Sequence, residues 1–493
     1  MPQWQLRSLR LLPGRGIEVM EYPAGAKKGR SGIRVRFAPS PTGPVHAGNI
    51  RTAIFNWLFA RNTGGEFIIR IEDTDAERSK PEYAEQTVEA LEWLGINWDE
   101  GPYYQSQHKA LYKKVLEQLF NEGKIYPCFC SEELLAKDKA DFERRSLPPV
   151  YTGRCRKIGS KEGMEKMKNE PYALRFKVEG DMLTYTDLVR GEIKVNLNLV
   201  GDFIVKRSTG GVTYNFAAGV DDSMMKISHV IRGEDHISNT PRQILVMNSI
   251  GHNPPSFAHL PLILSDEGKK LSKRDAGASF LELMDGGFMP DAVLNFLSLI
   301  GWNPEDGEED METKDIIRKF SLSRVAVRPA KYDITKLRWL NARKLRNAAP
   351  EAILRAGSSF IVKNKLYFKN LSTEKKHFLI NAVKENLETL ADLDSQLSIF
   401  FDYIMDDSAL KEVSQFPVKE VLNSFLKFLT NEDFGEVTKQ IKDNTGISGK
   451  KLFMPLRVAL TGRLGGPELK HVYDWLPVEE RLMRTNTLLG LLK

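Results

Sequence analysis

Cysteine is scarce. Three thiols in 493 residues cannot build a disulfide scaffold, and they suit a reducing compartment. Long apolar runs are missing as well. No stretch approaches the ~18 consecutive apolar residues that a membrane span needs, so a soluble globular chain is expected. Net charge is nearly absent outside the N-terminus. Of the total of +6, residues 1–32 carry six basic side chains (Arg7, Arg10, Arg15, Lys27, Lys28, Arg30) against Glu18 and Glu21, which leaves +2 for the rest. Charge alone therefore gives no argument for a nucleic-acid partner, and any such surface has to be local. There is no internal repeat and no low-complexity segment, which excludes solenoids and arrays.

What is present is a chain of ordinary globular composition, 41% hydrophobic with 7 Trp and 25 Phe. Its length sets a prior of about three or four domains. Residues 1–32 lack the apolar core of a secretory signal. They are expected to be an unstructured extension, with Met20 as an alternative start. An organellar transit peptide is the competing reading, since the stretch is basic and poor in acids. The expected location is cytoplasmic, or an organelle matrix on the second reading.

Periodicity organises the next hundred residues. "IRVRFAPSP" reads as a short buried strand closed by prolines, and "NIRTAIFNWLFARNTGG" as an amphipathic helix with Ile50, Ile54, Trp57 and Leu58 on one face. "EFIIRIEDTD" is a second strand and "PEYAEQTVEALEWLG" a second helix. Strand and helix alternating at this spacing indicate a parallel α/β sheet. From about Pro127 to 204 the pattern breaks into charged helical pieces, such as "SEELLAKDKADFERR", and short strands, such as "LRFKV". Apolar strands return at "GVTYNFAAGVDDSMMKISHVIRGEDH". After about 346 the chain turns helical, as "FPVKEVLNSFLKFL" shows with Val418, Val421, Leu422, Phe425, Phe428 and Leu429 at helical spacing.

Two stretches carry chemistry. In "RFAPSPTGPVHAGNIRTA" a histidine and a glycine stand where a strand hands over to a helix. A helix N-terminus offers unpaired N–H groups and a partial positive charge, which suits phosphate. His46 is a candidate donor to a phosphate oxygen, and Gly48 lets a ligand lie against the backbone. In "LILSDEGKKLSKRDAG" four cations, Lys269, Lys270, Lys273 and Arg274, surround Ser272 after Gly268. Placed lysines stabilise charge on a leaving pyrophosphate. Taken singly, each stretch is also explained as a turn or a solvated basic loop.

Together they resemble a known family. "PSPTGPVHAGN" looks like the first signature of class I aminoacyl-tRNA synthetases and "KLSKR" like the second. With "RFAPSPTG", "RIEDTD", "YNFAAGVDD", "HVIRGEDH" and "LRVALTG", the chain from residue 34 onward resembles bacterial-type glutamyl-tRNA synthetase.

The resemblance implies an α/β fold with a class I Rossmann-like, parallel-sheet catalytic domain (33–126 and 205–250). It adds an α+β acceptor-binding insertion (127–204), a mixed stem-contact region carrying the KLSKR loop (251–345) and an all-α anticodon-binding domain (346–493). It implies ATP and Mg²⁺, L-glutamate and tRNA-Glu as partners, with tRNA-Gln as a second candidate, no membrane, and a monomer. His46, Lys270 and Lys273 are implied as catalytic. Gly48, Asn49, Asp235, Leu262, Ile263 and Ser272 are implied to join them around ATP. Arg36 and Tyr214 would meet the side-chain carboxylate of glutamate, Arg232 its α-carboxylate, and Ser40 with Glu72 its ammonium. Where some members use a residue four after the tyrosine, this chain has Ala218.

All three cysteines fall in one window, Cys128 and Cys130 followed by Cys155, with Tyr151 four residues before the last. Some family members bind zinc with this spacing, and thiolates suit zinc. The fourth ligand is then Tyr151 or a water. The competing reading is three reduced thiols packed as small hydrophobes. Of the rival functions, glutaminyl-tRNA synthetase carries β-barrels at its C-terminus. A shortened paralogue that glutamylates a tRNA base lacks the helical third. A non-catalytic tRNA-binding homologue has no reason to keep His46, Gly48, Lys270 and Lys273.

Overall fold

The computed structural model describes residues 31–75, 77–265, 267–271 and 279–492. It falls into two compact units. One runs to Phe280 and takes in Leu294–Asp333; the other comprises Leu281–Val293 and the chain from Ile334 onward. Most of the expected extension 1–32 therefore lies outside the described residues.

The first unit is built on a seven-stranded sheet. Its strands are β1 (Arg34–Phe37), β2 (Glu66–Ile71), β3 (Glu100–Tyr104), β6 (Met182–Asp187), β7 (Gly191–Asn196), β10 (His229–Gly233) and β11 (Ser256–Leu260). Between them in sequence lie β4 (Ile125–Cys128), β5 (Ala173–Phe176), β8 (Ile204–Arg207) and β9 (Gly210–Val212), which form a separate antiparallel sheet in the order β4-β5-β8-β9. The large sheet runs β3-β2-β1-β10-β11-β6-β7, parallel except for the β6–β7 hairpin. Register is set by pairs such as Val35 with Phe67 and Val230 with Phe257. All six residues of β2 are buried, as a strand covered on both faces requires.

Strand order reverses between β1 and β10. A ligand crevice opens at the carboxyl ends of the strands at such a switch point. From β1 the chain turns through Pro39–Gly43 into the helix Ala47–Thr63, and from β10 it enters the short turns of Glu234–Asn239.

The Ala47–Thr63 helix departs from the expected amphipathic pattern. Ala53, Phe55, Asn56 and Ala60 are buried along with Ile50, Ile54, Trp57 and Leu58. It packs on the sheet and against the helix Thr313–Lys319, and the Phe55 ring lies 5.3 Å from Phe320. A helix with partners on two sides loses its polar stripe. It ends at Gly64 in the left-handed region (φ 66°).

Several elements run across the expected domain limits. The insertion sheet reaches from Ile125 to Val212, beyond the expected 127–204. The β6–β7 hairpin, inside that span, joins the large sheet through Asp187 beside Phe257. Strand β11 also belongs to the large sheet, past the expected limit at 250. Alternation and apolar runs report burial of a strand, not which sheet it enters.

The second unit contains helices and no strand among its described residues. Its core gathers Val421, Leu422 and Phe425 from the Val418–Lys427 helix with Leu456, Val458 and Tyr473. It begins inside the region expected to end at 345, because the helix Ile334–Asn347 belongs to it. Among the described residues no helix is long and apolar enough to cross a membrane.

Candidate active site

A cleft of about 370 Å³ opens at the carboxyl ends of β1 and β10. Its wall includes every described residue that the sequence singles out for ATP or glutamate. Arg36, Ser40, Glu72, Tyr214 and Arg232 line one part, and His46, Gly48, Asn49, Asp235, Leu262, Ile263 and Lys270 the rest. Ser272 and Lys273 lie outside the described residues.

His46 is the N-cap of the Ala47–Thr63 helix. The Gly48 N–H donates to its Nδ1 at 3.2 Å, so in the neutral ring the proton sits on Nε2. This gives the His-x-Gly spacing a second meaning. A Cβ at residue 48 would stand 3.1 Å from the imidazole Cε1 and Nδ1, so glycine makes room for the capping ring as well as for a ligand.

The opposite end is a buried charge network. Arg36 clasps Asp222 through Nε and Nη2, at 3.0 and 3.3 Å. Arg70 donates to the same carboxylate at 2.7 Å and to Glu72 at 2.9 Å. Arg36, Arg70, Glu72 and Asp222 are all at most 4% exposed. Burial pushes the Glu72 carboxyl up against the pull of Arg70 and Arg36. Burial pushes Asp222 up too, but its two arginines outweigh this and hold it below the usual carboxylate range.

Arg232 differs. It is 5% exposed, yet its hydrogen bonds go to neutral groups: His259, Gln243 and Thr240. Burial, with Arg36 nearby, pushes its guanidinium below the ordinary value. Arginine stays charged all the same. Of these three buried guanidinium groups, Arg36 and Arg70 bond carboxylates and Arg232 bonds none. Tyr214 lies between them, its hydroxyl 3.2 Å from His236 Nδ1. Burial and Arg232 push His236 down to about 4, so that imidazole is neutral and adds no positive charge to the cleft.

On the other side, exposed Lys270 reaches Asp235 at 3.3 Å. The Leu262 N–H donates to Glu234 at 2.8 Å and its carbonyl accepts from Ala330 at 3.1 Å. Buried Arg51 donates to the Pro261 carbonyl at 2.5 Å, fixing the start of this segment.

Sequence reasoning missed Arg70, Asp222, Arg51 and the holders of Arg232. A signal existed for the first two. A lone arginine inside "FIIRI" and paired aspartates in the apolar helix Tyr214–Met224 cannot be buried without partners. Asp187 and His259 carry no such mark.

The cysteine cluster lies at the β4 end of the small sheet. The Cys128, Cys130 and Cys155 sulfurs are within 4.8 Å of one another, with 3.7 Å between the last two. The Tyr151 hydroxyl stands 3.5 Å from both Cys128 and Cys130. In a tetrahedral zinc site with Zn–S of about 2.3 Å, sulfurs stand about 3.8 Å apart, so these four groups fit the ion. Arg175 donates to Cys128 Sγ at 3.3 Å. Burial raises that thiol, but the contacts with Tyr151 and Arg175 outweigh it and hold it below its ordinary value.

Comparison with known proteins agrees with this geometry. The catalytic domain of "tRNA synthetases class I (E and Q)" matches residues 32–339, and an "anticodon binding domain" matches 340–489. The chain belongs to the class I tRNA synthetases of the E and Q group. It is 40% identical over 468 residues to glutamate–tRNA ligase 1 of Caldanaerobacter subterraneus, covering 92% of this chain and 97% of that one. It is 39% identical over 484 residues to the glutamate–tRNA ligase of Natranaerobius thermophilus, covering 93% and 98%. A glutamate tRNA ligase from Elizabethkingia meningosepticum, solved in complex with its amino acid, matches with a TM-score of 0.83 at 33% identity, covering 94% of this chain and all of that one.

The network makes a stability prediction. Arg70→Met leaves Glu72 without its hydrogen-bonded partner and Asp222 with Arg36 alone. Equilibrium unfolding in urea is expected to show a loss of about 3–5 kcal/mol. A change under about 1 kcal/mol would mean that the carboxylates do not depend on Arg70.

Proposed function

We propose that the chain activates L-glutamate with ATP and transfers it to the 3′ end of tRNA-Glu, as a glutamate–tRNA ligase. The observation that carries the reading is the charge of the cleft. Glutamate brings two carboxylates and one ammonium, a net charge of −1, and the cleft holds Arg232, a buried cation that hydrogen-bonds no carboxylate. Arg232 would take the α-carboxylate, Arg36 with Tyr214 the side-chain carboxylate, and Glu72 with Ser40 the ammonium. The relatives of similar length carry the same name, and the helical second unit matches an anticodon binding domain.

ATP enters as its Mg²⁺ complex, with its phosphates toward the N-terminus of the Ala47–Thr63 helix. A glutamate α-carboxylate oxygen attacks the α-phosphorus. A P–O bond forms, and the bond to pyrophosphate breaks. His46, through Nε2–H, and Lys270 meet the charge that develops on the phosphates, joined by Lys273 and Ser272 of the KLSKR loop. The ribose hydroxyl at the tRNA 3′ end then attacks the carbonyl carbon, and AMP leaves. No protein nucleophile is needed. The work is positioning and electrostatic stabilisation. The Leu262–Ile263 backbone and Asp235 would hold the nucleoside. Since the Leu262 N–H is given to Glu234, adenine would be read by other edges of this segment.

The segment around β4, β5, β8 and β9 would grip the acceptor end, with 251–345 contacting the stem and the second unit reading the anticodon. Cys128, Cys130, Tyr151 and Cys155 would hold zinc, which supplies a structural cross-link there and no chemistry of the reaction. We place the enzyme in the cytoplasm as a monomer.

Two experiments test this. Purified chain is given labelled glutamate and ATP with unmodified tRNA-Glu or tRNA-Gln in separate tubes. Charging of tRNA-Glu alone marks a discriminating enzyme, and charging of both marks one that serves an amidation route to glutamine. Charging of neither, with competent tRNA, would sink the reading. Metal analysis of the full chain is expected to find about one zinc per chain, lost in Cys130→Ser with a lower melting temperature. Less than about a tenth of an equivalent would leave the cluster as packed thiols.

A further inference from the structure

Arg232 is held by three neutral groups, one of which, His259, is backed by a carboxylate of the β6–β7 hairpin. Its Nε donates to His259 Nε2 at 3.2 Å, Nη2 to Thr240 Oγ1 at 2.7 Å and Nη1 to Gln243 Oε1 at 2.8 Å. Nε and Nη2 form one edge of the guanidinium, so that edge is taken. Of its five N–H groups, two remain, one on each terminal nitrogen. These two are left to meet a carboxylate, the group a guanidinium pairs with most strongly.

His259 can accept from Arg232 only with its ring proton on Nδ1. Asp187 Oδ2 lies 2.6 Å from that nitrogen and accepts its hydrogen bond. Asp187 is fixed in turn. Its Oδ1 accepts the N–H groups of Val189 and Arg190 at 3.0 and 2.9 Å, and its Oδ2 accepts the His259 N–H at 3.1 Å. Asp187 is 1% exposed and His259 fully buried, so neither side chain reaches substrate. With the other tautomer, a ring N–H would face the Arg232 N–H and a lone pair would face the carboxylate. Both contacts would be lost.

We propose that Asp187 and His259 are positioning residues for the amino acid's α-carboxylate: they lock Arg232 in place in the cleft wall with two N–H groups left for that carboxylate. The β6–β7 hairpin thereby forms part of the amino-acid site without touching substrate. This rests on reading the cleft as a glutamate site.

The test is steady-state charging of tRNA-Glu by Asp187→Asn, His259→Ala and His259→Gln. The expected result is a glutamate KM raised about tenfold or more in the first two, with kcat and the KM for ATP within about twofold of wild type. His259→Gln places an Oε1 near the position of Nε2 and is expected to return the glutamate KM to within about threefold. The competitive inhibitor 4-amino-5-hydroxypentanoate keeps the ammonium and side-chain carboxylate but has a hydroxymethyl in place of the α-carboxylate. Its Ki is expected to move less than about twofold in all three variants.

A glutamate KM unchanged in Asp187→Asn and His259→Ala overturns the proposal. So does a parallel rise of the glutamate KM, the ATP KM and the inhibitor Ki, which is the mark of a general disturbance of the fold. Should His259→Ala fail to fold, Asp187→Asn and His259→Gln decide alone. Wild-type chain that charges no tRNA-Glu overturns the functional reading instead, so the two failures are distinct.

Discussion

A guanidinium buried without a carboxylate of its own constrains the amino-acid end of this protein. Arg232 is 5% exposed, and the groups around it are an amide, a hydroxyl and an imidazole. Neutral acceptors replace some of the water that the cation has lost, but they do not cancel its charge. The nearby Arg36 adds repulsion, which its partner Asp222 offsets in part. The fold sustains this because the residues that hold Arg232 come from rigid places. They are the Thr240–Ser249 helix and strand β11, the latter backed through Asp187 by the β6–β7 hairpin. An anion entering the cleft would complete the balance.

The two ends of the cleft use different physics. At the Arg36–Arg232 end the charges are deep and fixed by short hydrogen bonds. At the nucleotide end they are exposed. Lys270 and Asp235 stand in water, and His46 works at a helix N-terminus where backbone N–H groups already favour an anion. Buried arginines discriminate between carboxylates by geometry, and the exposed end tolerates a large, mobile, strongly charged ligand. Both ends meet at the switch between β1 and β10, the place in the sheet where backbone and helix termini converge.

Much of this was legible in the sequence. The strand–helix alternation fixed the parallel sheet, and motif resemblance located His46, Arg36, Glu72, Tyr214 and Arg232 on one cleft before any contact was known. The meaning of single residues was less accessible. Gly48 read as space for a ligand, and its nearest neighbour proves to be the His46 ring. The Ala47–Thr63 helix read as amphipathic because a sequence window cannot show that a second layer covers its other face. Asp187 was beyond reach. It sits in a segment whose charged, broken pattern marks an insertion, and only the pairing of β6 with β11 carries it to His259. Long-range partners of a buried charge leave no local periodicity to read.

The central claim is that Arg232 is kept for the substrate rather than for the fold. Equilibrium unfolding in urea of wild type and Arg232→Met, each with and without saturating glutamate, tests it most directly. Without glutamate the variant is expected to lie within about 1 kcal/mol of wild type or above it, because an apolar chain replaces an uncancelled buried charge. With glutamate at about a hundred times its Kd, wild type gains about 2.7 kcal/mol, and the variant gains nothing. A variant that loses about 3 kcal/mol or more without ligand, and is still stabilised by glutamate, would contradict the account.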